Sequence, residues 1–569
     1  MKKTILLTAA AVTALSLNAS AQNTGPSTGS TPYAVPTHYL VNTYSVATVD
    51  NVSVADDTFT RSNTSPVYGS SAYSMVGIPD GMGAFQSATD ITNGTFTLLV
   101  NHELGATVGV TRDHGSVGSF VSQWTINKNT LAVTGAQDLI QNVALWNGSG
   151  YTTFNNSNPI VTGSASAAVY NAAIGRLCSG DLAPTSAFSF GGNGTTERIF
   201  LSGEEIGAEG RLFAHIATGA NAGTSYELPR AGKFSWENAL ANPTAQAKTI
   251  VIGLDDTTPG EVYMYVGTKT NTGTEVERAG LTNGLFYGVR VVDSAPQAET
   301  RSTDFGIGKG NTKAFSMVLG PNSGDVTSTS GAALQAAHST DLVSNFLRPE
   351  DGAWDPTNGS HFYFVTTDRY DQVKDGVGSQ VGRSRLWRME FDDIATPELG
   401  GDIRLLLDGT EAGNMFDNIS VDATGKVQIV EDVGNQQHNG KLWEYNPGDG
   451  SLTMLAQHDP ARFGGVGSPS ATPFNIQNAS TTASDEEFSG IIDITALMAG
   501  SALSSGHTGE RWFLMNDQTH YFGGSSGITS AQAEGGQLIA VQVVPEPSTA
   551  ALLGLGALAF AAVRRRKQA

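Results

Sequence analysis

Eight short segments of this sequence carry carboxylates or a thiol that could bind metal ions. They lie at residues 101–103, 178, 203–205, 236–238, 348–352, 416–418, 431–432 and 485–490. Paired carboxylates repel each other and lower stability unless a cation neutralises them. Because charged residues make up only 15% of the chain, this recurrence predicts a centre that holds several metal ions.

The chain contains a single cysteine, Cys178. A disulfide within the chain is therefore impossible. The residue alone leaves two interpretations open: a buried small apolar side chain, or a thiolate that binds a metal ion or reacts. The second interpretation would make Cys178 part of the predicted metal centre.

Many short strands joined by turns are predicted to position these groups. Short apolar runs alternate with turn clusters, and long helical periodicities are scarce. In one internal repeat, Asp355 and Asp422 each open a turn, and the next strands end in acidic residues at Asp368 and at 431–432. Acidic residues at equivalent strand ends collect on one face of a β-propeller, near its channel. The alternative is coincidental turn chemistry, because Asp and Gly favour turns in any fold.

The formal net charge of the whole sequence is −21 at pH 7. Both ends are basic, so the region between them is more acidic still. Such a surface repels nucleic acid and anionic membranes, which excludes nucleic acid as a partner. It suits divalent cations, because Ca²⁺ is bound by clustered carboxylates and carbonyls. Simple solubility is the alternative explanation.

The N-terminus has the three parts of a secretory signal peptide. Lys2 and Lys3 precede an apolar run at residues 5–17, and an Ala-Ser-Ala cleavage site follows at 19–21. We therefore expect the Sec machinery to export the chain and residues 1–21 to be removed.

The C-terminus resembles the PEP-CTERM sorting tails of exopolysaccharide-producing Gram-negative bacteria. The motif Pro545-Glu546-Pro547 leads into an uncharged run at 549–563, and four basic residues follow at 564–567. The resemblance implies processing by an exosortase and a final place in the cell envelope, at the outer surface or in the extracellular matrix. As a helix the run would rise about 22 Å, which is marginal for a hydrocarbon core of about 30 Å. A permanent single-span anchor is the alternative, and only this segment is expected to contact a membrane.

The remaining motifs resemble the PhoX-type alkaline phosphatases, which are exported β-propeller enzymes that use calcium and iron. Each motif is short, and their common order along the chain makes the match specific. The matching segments are Asn-His-Glu at 101–103, Cys178 with Glu-Glu at 204–205, Gly-Lys-Phe-Ser-Trp-Glu-Asn at 232–238, Arg-Pro-Glu at 348–350, Asp-Asn at 417–418 with Glu-Asp at 431–432, and Glu-Glu at 486–487 before Ser-Gly at 489–490.

The resemblance implies a role for each matching residue. The catalytic pair is Arg348, which would hold the substrate phosphate, and Glu350, which would also bind metal. Cys178 would bind iron. The other implied metal ligands are Glu205, Glu237 and Glu487, and further candidates are Glu103, Asp417 and Asp432.

The sequence departs from the family after the cysteine. An insertion occupies residues 191–197, and Gly203 stands where the family has a second cysteine before two glutamates. The effect of this departure on the metal centre depends on where both features lie in the fold.

The expected fold is all-β: a six-bladed β-propeller with inserted loops, plus a short hydrophobic C-terminal helix. The expected segments are a signal peptide at 1–21, an extended lead-in at 22–70, the propeller at 71–543 and the sorting segment at 544–569.

The expected function is that of an exported, monomeric, metal-dependent phosphoric ester hydrolase that acts on small phosphate monoesters. Calcium and iron are the expected cofactors, and no nucleotide or organic cofactor is expected. The alternative is a non-catalytic calcium-binding propeller displayed at the cell surface or in the exopolysaccharide matrix.

Overall fold

Six β-strands stand in a closed ring around a central channel. Each is the innermost strand of one blade and contacts the inner strands of the two neighbouring blades. In chain order, which numbers blades 1 to 6, they are Pro79–Phe85, Leu177–Asp181, Trp236–Ala241, Pro349–Trp354, Phe416–Val421 and Glu487–Asp493. The predicted all-β, six-bladed propeller is therefore confirmed.

The computed structural model describes most of the chain between the two termini. The described residues are 20–49, 58–158, 173–338, 342–371, 382–434, 436, 438–463, 485–520 and 528–545. The core of the predicted signal peptide, and the predicted C-terminal helix with Glu546 and Pro547, lie outside these ranges.

Blades 1 to 3 follow one another along the first part of the chain, and their strands are given from the channel outward. Blade 1 contains Pro79–Phe85, Thr95–His102, Phe120–Asn127 and Val133–Asp138. Blade 2 contains Leu177–Asp181, Ile199–Glu204, Leu212–Ile216, Thr224–Glu227, Asn142–Trp146 and Tyr151–Phe154. Blade 3 contains Trp236–Ala241, Lys248–Asp255, Gly260–Thr268, Leu285–Val291 and Thr312–Leu319.

Blades 4 to 6 complete the ring. Blade 4 contains Pro349–Trp354, His361–Thr366, Arg385–Phe391 and Gly401–Leu407, whose outer strand pairs with the outer strand of blade 3. Blade 5 contains Phe416–Val421, Val427–Glu431, Lys441–Asn446, Ser451–His458 and Ala34–Pro36. Blade 6 contains Glu487–Asp493, Arg511–Gln518, Gly536–Val543, Val41–Val49 and Ala21–Thr24.

The first strands of the chain close the propeller. Val41–Val49 pairs antiparallel with Gly536–Val543 in blade 6, and Ala34–Pro36 pairs with Ser451–His458 in blade 5. The segment expected as a lead-in at 22–70 therefore contributes strands to the last two blades. Pairing strands from both ends of the chain within one blade holds the first and last parts of the propeller together.

Face-to-face stacking of the blades forms the hydrophobic core. Strands such as Thr95–His102 and Gly536–Val543 are buried at every position, because neighbouring blades cover both of their faces. Trp124, Trp387 and Trp512 are among the largest fully buried side chains. Burial of this area stabilises the ring by about 25 cal/mol per Å² of apolar surface.

The remaining elements are short. Three two-stranded hairpins pair Thr58–Phe59 with Tyr73–Ser74, Ser189–Phe190 with Asn193–Gly194, and Glu299–Thr300 with Thr303–Asp304. The described α-helices are Ala88–Asn93, Glu275–Arg278, Gly331–His338, Pro460–Phe463 and Thr495–Met498, and the described 3₁₀-helices are Thr185–Ala187, Pro229–Ala231, Asn322–Gly324 and Pro397–Leu399. Among the described residues, no helix has the length and apolar character needed to span a membrane.

Candidate metal centre

A β-bulge near the beginning of every inner strand directs polar side chains, mostly carboxylates, towards the channel. At each bulge the pairing with the second strand shifts register, which re-aims the side chains there. In blades 1 to 5 the second residue of the inner strand carries the group, and these residues are Asp80, Cys178, Glu237, Glu350 and Asp417. In blade 6, Ser489 stands at the bulge, and Glu487 at the start of the strand supplies the carboxylate.

The second strands supply another set of carboxylates. The residue directly after the second strand is acidic in blades 1, 2, 3 and 5, and these residues are Glu103, Glu205, Asp256 and Asp432. Three of the four follow another acidic residue, whose side chain points to the opposite face because strand residues alternate. Thus Glu204 pairs with Arg211, and Glu431 bonds to His438 at 2.7 Å, away from the channel.

The structure brings the predicted site residues together. All nine of them line one cavity of about 60 Å³, in which Arg176 and Asp256 also take part. The cavity therefore holds eight carboxylates and one thiol against two arginines. Segments more than 380 residues apart in the sequence, from Glu103 to Glu487, meet here because each blade contributes the same end of its inner strands.

Four groups of residues in or beside this cavity have the composition of metal sites, and three of them overlap through Cys178 and Glu237. Within each group, one ligand atom per residue lies within 4.8 Å of the others. The groups are Asp80–Glu103–Cys178, Cys178–Glu205–Glu237, Glu237–Asp256–Glu350 and Asp417–Asp432–Glu487. The two groups with a thiol suit a transition metal, and the all-carboxylate groups suit Ca²⁺. These donor sets fit a centre of several metal ions.

Burial raises the pKa of several acidic groups in the cavity. It is the largest cause for Glu205 and Glu487, whose pKa values rise to about 8 and about 7 with a further contribution from neighbouring carboxylates. The pKa of Glu237 and that of Cys178 lie well above their ordinary values for the same two reasons. Such a cluster stays charged only where cations supply the missing positive charge.

Two arginines lie over these carboxylates at the cavity. Arg348 contacts both oxygens of Asp256, at 2.7 and 2.9 Å, and Glu350 at 2.8 Å. Arg176 contacts Glu103 at 2.5 Å and also pairs with Glu205. The two side chains remain 32% and 48% exposed, respectively, so their guanidinium groups face the solvent side of the cavity.

A belt of polar side chains ties the six bulges to one another. Every link joins one blade to the next, so the belt holds the six inner strands in a fixed relation. In blade order, the acceptor–donor links are Cys178 carbonyl–Asn101 Nδ2 at 2.8 Å, Glu237 Oε1–Ser179 Oγ at 2.5 Å, Asp351 Oδ1–Asn238 Nδ2 at 2.6 Å, Asp351 Oδ2–Ile419 N at 3.1 Å, Asn418 Oδ1–Gly490 N at 2.9 Å and Asp80 carbonyl–Asn516 Nδ2 at 2.5 Å. Such partners orient the groups that would bind metal.

Three features that the sequence analysis singled out, the insertion at 191–197, Gly203 and Asp368, do not line the cavity. The insertion at 191–197 forms part of a hairpin before the strand Ile199–Glu204, at the end opposite Glu205. At Gly203, a Cβ atom would lie 2.3 Å from Cβ of Trp236, so this position excludes a side chain. Asp368 of the internal repeat pairs with Arg301 at 3.2 Å outside the cavity, because Thr367 takes the place directly after the second strand of blade 4.

Sequence reasoning missed three members of this site. Asp80 stands in a Pro-Asp-Gly run that parallels Pro-Glu-Asp-Gly at 349–352, and Asp256 ends an acidic pair like those at 204–205 and 431–432. Both could have been found by extending the repeat to every blade. Arg176 had no such signal, because its neighbours in sequence are not acidic.

Removal of metal is expected to lower the melting temperature. Each site that binds only the folded state adds about 2.7 kcal/mol when free metal exceeds its Kd a hundredfold.

In the metal-free protein, the raised pKa values of Glu205 and Glu487 mean that stability is lost as pH rises from about 4.3, the unfolded value, through about 8. We therefore expect the metal-free protein to melt lower at pH 8 than at pH 5. Calorimetry of the metal-free protein at the two pH values measures this difference. Calorimetry with and without Ca²⁺ measures the effect of metal removal, and an unchanged melting curve after proven metal loss would contradict that prediction.

Comparisons with known proteins place this geometry in context. Residues 222–492 match the family model described as alkaline phosphatase PhoX, and residues 543–567 match the PEP-CTERM protein-sorting motif. The search of curated proteins found no match.

One solved structure, that of a PhoX protein, supports the same fold. PhoX of Pseudomonas fluorescens, in complex with the transition-state analogue vanadate, is 11% identical and has a TM-score of 0.57, covering 90% of this chain and 97% of that chain. Sqt1 of Chaetomium thermophilum is 8% identical with a TM-score of only 0.31, covering 89% of this chain and 98% of that chain. The central part of this chain thus matches the family model of the PhoX alkaline phosphatases, and its C-terminus matches the PEP-CTERM sorting motif, as its motifs predicted.

Proposed function

We propose that this chain is an exported, metal-dependent phosphatase that hydrolyses small phosphate monoesters in the channel of the propeller. The observation that carries the proposal is the joint position of two arginines and a multi-metal donor set around one cavity. Phosphoryl transfer spreads negative charge over the phosphoryl oxygens, and positive groups held in place stabilise it. The match to the PhoX family model supports the same reaction class.

Calcium and iron are the proposed metals. Cys178 belongs to two of the candidate groups, and a thiolate favours iron over calcium. Asp417, Asp432 and Glu487 offer only oxygens, which calcium prefers. When bound, the metals would polarise the phosphoryl group and activate the attacking nucleophile.

Arg348 is proposed to hold the substrate phosphate. Its guanidinium is a planar fork that matches two phosphoryl oxygens. In the structure this fork engages Asp256 and Glu350, two members of one candidate metal group, so the arginine is already directed at the metal centre. A purely structural calcium site, the alternative function, would not require this arginine.

Export and display complete the proposal. The sorting motif at 543–567 supports processing by an exosortase and release to the outer surface or the extracellular matrix. An extracellular phosphatase of this kind would meet small phosphoesters outside the cytoplasm.

Replacement of Arg348 by alanine is expected to lower kcat/KM for p-nitrophenyl phosphate about a hundredfold or more. Loss of one charge-assisted contact in the transition state costs about 3 kcal/mol. Metal content should stay unchanged, which elemental analysis checks. Arg230→Ala serves as the control, because Arg230 pairs with Asp325 outside the cavity. Wild-type protein loaded with calcium and iron that hydrolyses no phosphoester would contradict the proposed function and favour the structural calcium propeller.

A further inference from the structure

We propose that Arg176 is a second arginine that binds the substrate phosphate. It also contacts Glu103 and Glu205, two carboxylates of the candidate metal groups. This inference rests on the proposed phosphatase function. It concerns a residue without any predicted role, in a blade different from that of Arg348.

Arg176 and Arg348 hold equivalent places in two blades. Each stands two residues before the metal-binding residue of its inner strand, Cys178 in blade 2 and Glu350 in blade 4. Each adopts the left-handed backbone region, with φ of 42° and 56°. A residue with a side chain adopts this conformation only at a cost in free energy. The same unusual backbone therefore presents an arginine to the cavity from two sides.

The contacts of Arg176 leave part of its guanidinium available. Its Nη2 pairs with Glu103 and Glu205, and its Nε donates to the backbone carbonyl of Glu205 at 3.2 Å. Among the described residues, the Nη1 group has no hydrogen-bond partner, and the same holds for Nη1 of Arg348. Each arginine thus keeps donors for an anion while its other nitrogens hold carboxylates.

Arg176 also stands where two cavities meet. Besides the 60 Å³ cavity with the metal-binding groups, it lines a neighbouring cavity of about 290 Å³ that reaches His520 and Glu534. A phosphate monoester has a charged end and an alcohol end, and this layout separates the two. Phosphate bound by Arg176 in the first cavity would direct the alcohol portion into the second.

The competing explanation is that Arg176 only neutralises Glu103 and Glu205 in place of a cation. In that case its removal would change the number of metal ions bound, because both carboxylates belong to candidate metal groups. A phosphate-binding arginine would instead alter anion affinity and leave the metal content constant. The two roles are therefore distinguished by measuring metal and phosphate separately.

The test compares metal-loaded wild-type protein with Arg176→Ala and Arg176→Lys. Titration calorimetry with inorganic phosphate should show about tenfold to a hundredfold weaker binding for Arg176→Ala, the loss expected for one charge-assisted hydrogen bond. Arg176→Lys, which keeps the charge without the fork, should recover part of the affinity and guards against a folding defect in the alanine variant. KM for p-nitrophenyl phosphate should rise more in Arg176→Ala than in Arg176→Lys, while elemental analysis should give the wild-type metal content for both variants.

The control is Arg301→Ala, since Arg301 is similarly exposed and pairs with Asp368 outside the cavity. Unchanged phosphate affinity in both Arg176 variants, or a changed metal content with wild-type phosphate affinity per metal centre, would overturn the inference. Phosphate binding is measured without turnover. A wild-type protein that binds phosphate through Arg176 but hydrolyses no ester would therefore refute the proposed function, while the phosphate-binding role of Arg176 would stand.

Discussion

Replacement of Glu350 by glutamine is expected to abolish phosphomonoester hydrolysis, with a loss in kcat/KM of at least about a thousandfold. Glu350 lies at the bulge of blade 4, forms a candidate metal group with Glu237 and Asp256, and contacts Arg348 at 2.8 Å. Glutamine keeps the shape of the side chain but removes the charge that attracts a cation. The variant should therefore lose metal as well as activity.

The control for this variant is Glu390→Gln. Glu390 lies in the same blade and contacts Arg388 and Arg404 at 2.6 Å. Glu390→Gln therefore makes the same chemical change next to arginines, but outside the cavity. It should retain activity and metal content. Steady-state kinetics and elemental analysis on both proteins check this prediction. A fully metallated Glu350→Gln protein with wild-type turnover would contradict it.

The fold was predictable from local patterns that every blade repeats. Short apolar runs separated by turn residues indicated many strands, and the turns at Asp355 and Asp422 marked equivalent places in two blades. In the structure both aspartates cap their turns in the same way: each accepts bonds from the backbone N–H and the hydroxyl of the threonine two residues on. This local chemistry depends on neighbouring residues alone, so the sequence reveals it directly.

The candidate site was only partly predictable from such local patterns. Acidic pairs at strand ends contain one residue that faces the channel and one that does not, because side chains alternate along a strand. Glu205 and Asp432 are the members that reach the cavity, while Glu204 and Glu431 bind partners elsewhere. A sequence shows such a pair but does not show which member points inward until the register of the strand is known.

Long-range pairing could not be predicted. Val41–Val49 joins Gly536–Val543 across nearly the whole chain, and Thr312–Leu319 joins blade 3 to Gly401–Leu407 of blade 4. Neither contact leaves a local signal, because the partners are defined by ring closure and by the outer edges of the blades. For the same reason the sequence did not show that residues 21–49 belong to the propeller.

Cys178→Ser is expected to remove the transition metal and lower activity at least about a hundredfold. Cys178 is shared by two candidate metal groups and its Sγ lies 3.3 Å from Oδ2 of Asp80, so one substitution affects both groups. A serine hydroxyl is a far poorer ligand for iron than a thiolate, while it fills nearly the same space. Elemental analysis should show loss of iron with calcium retained at Asp417, Asp432 and Glu487, and the visible absorption of an iron–thiolate bond should disappear. If Cys178 is only a buried apolar side chain, the variant will keep its metals and activity and lose about 1 kcal/mol of stability.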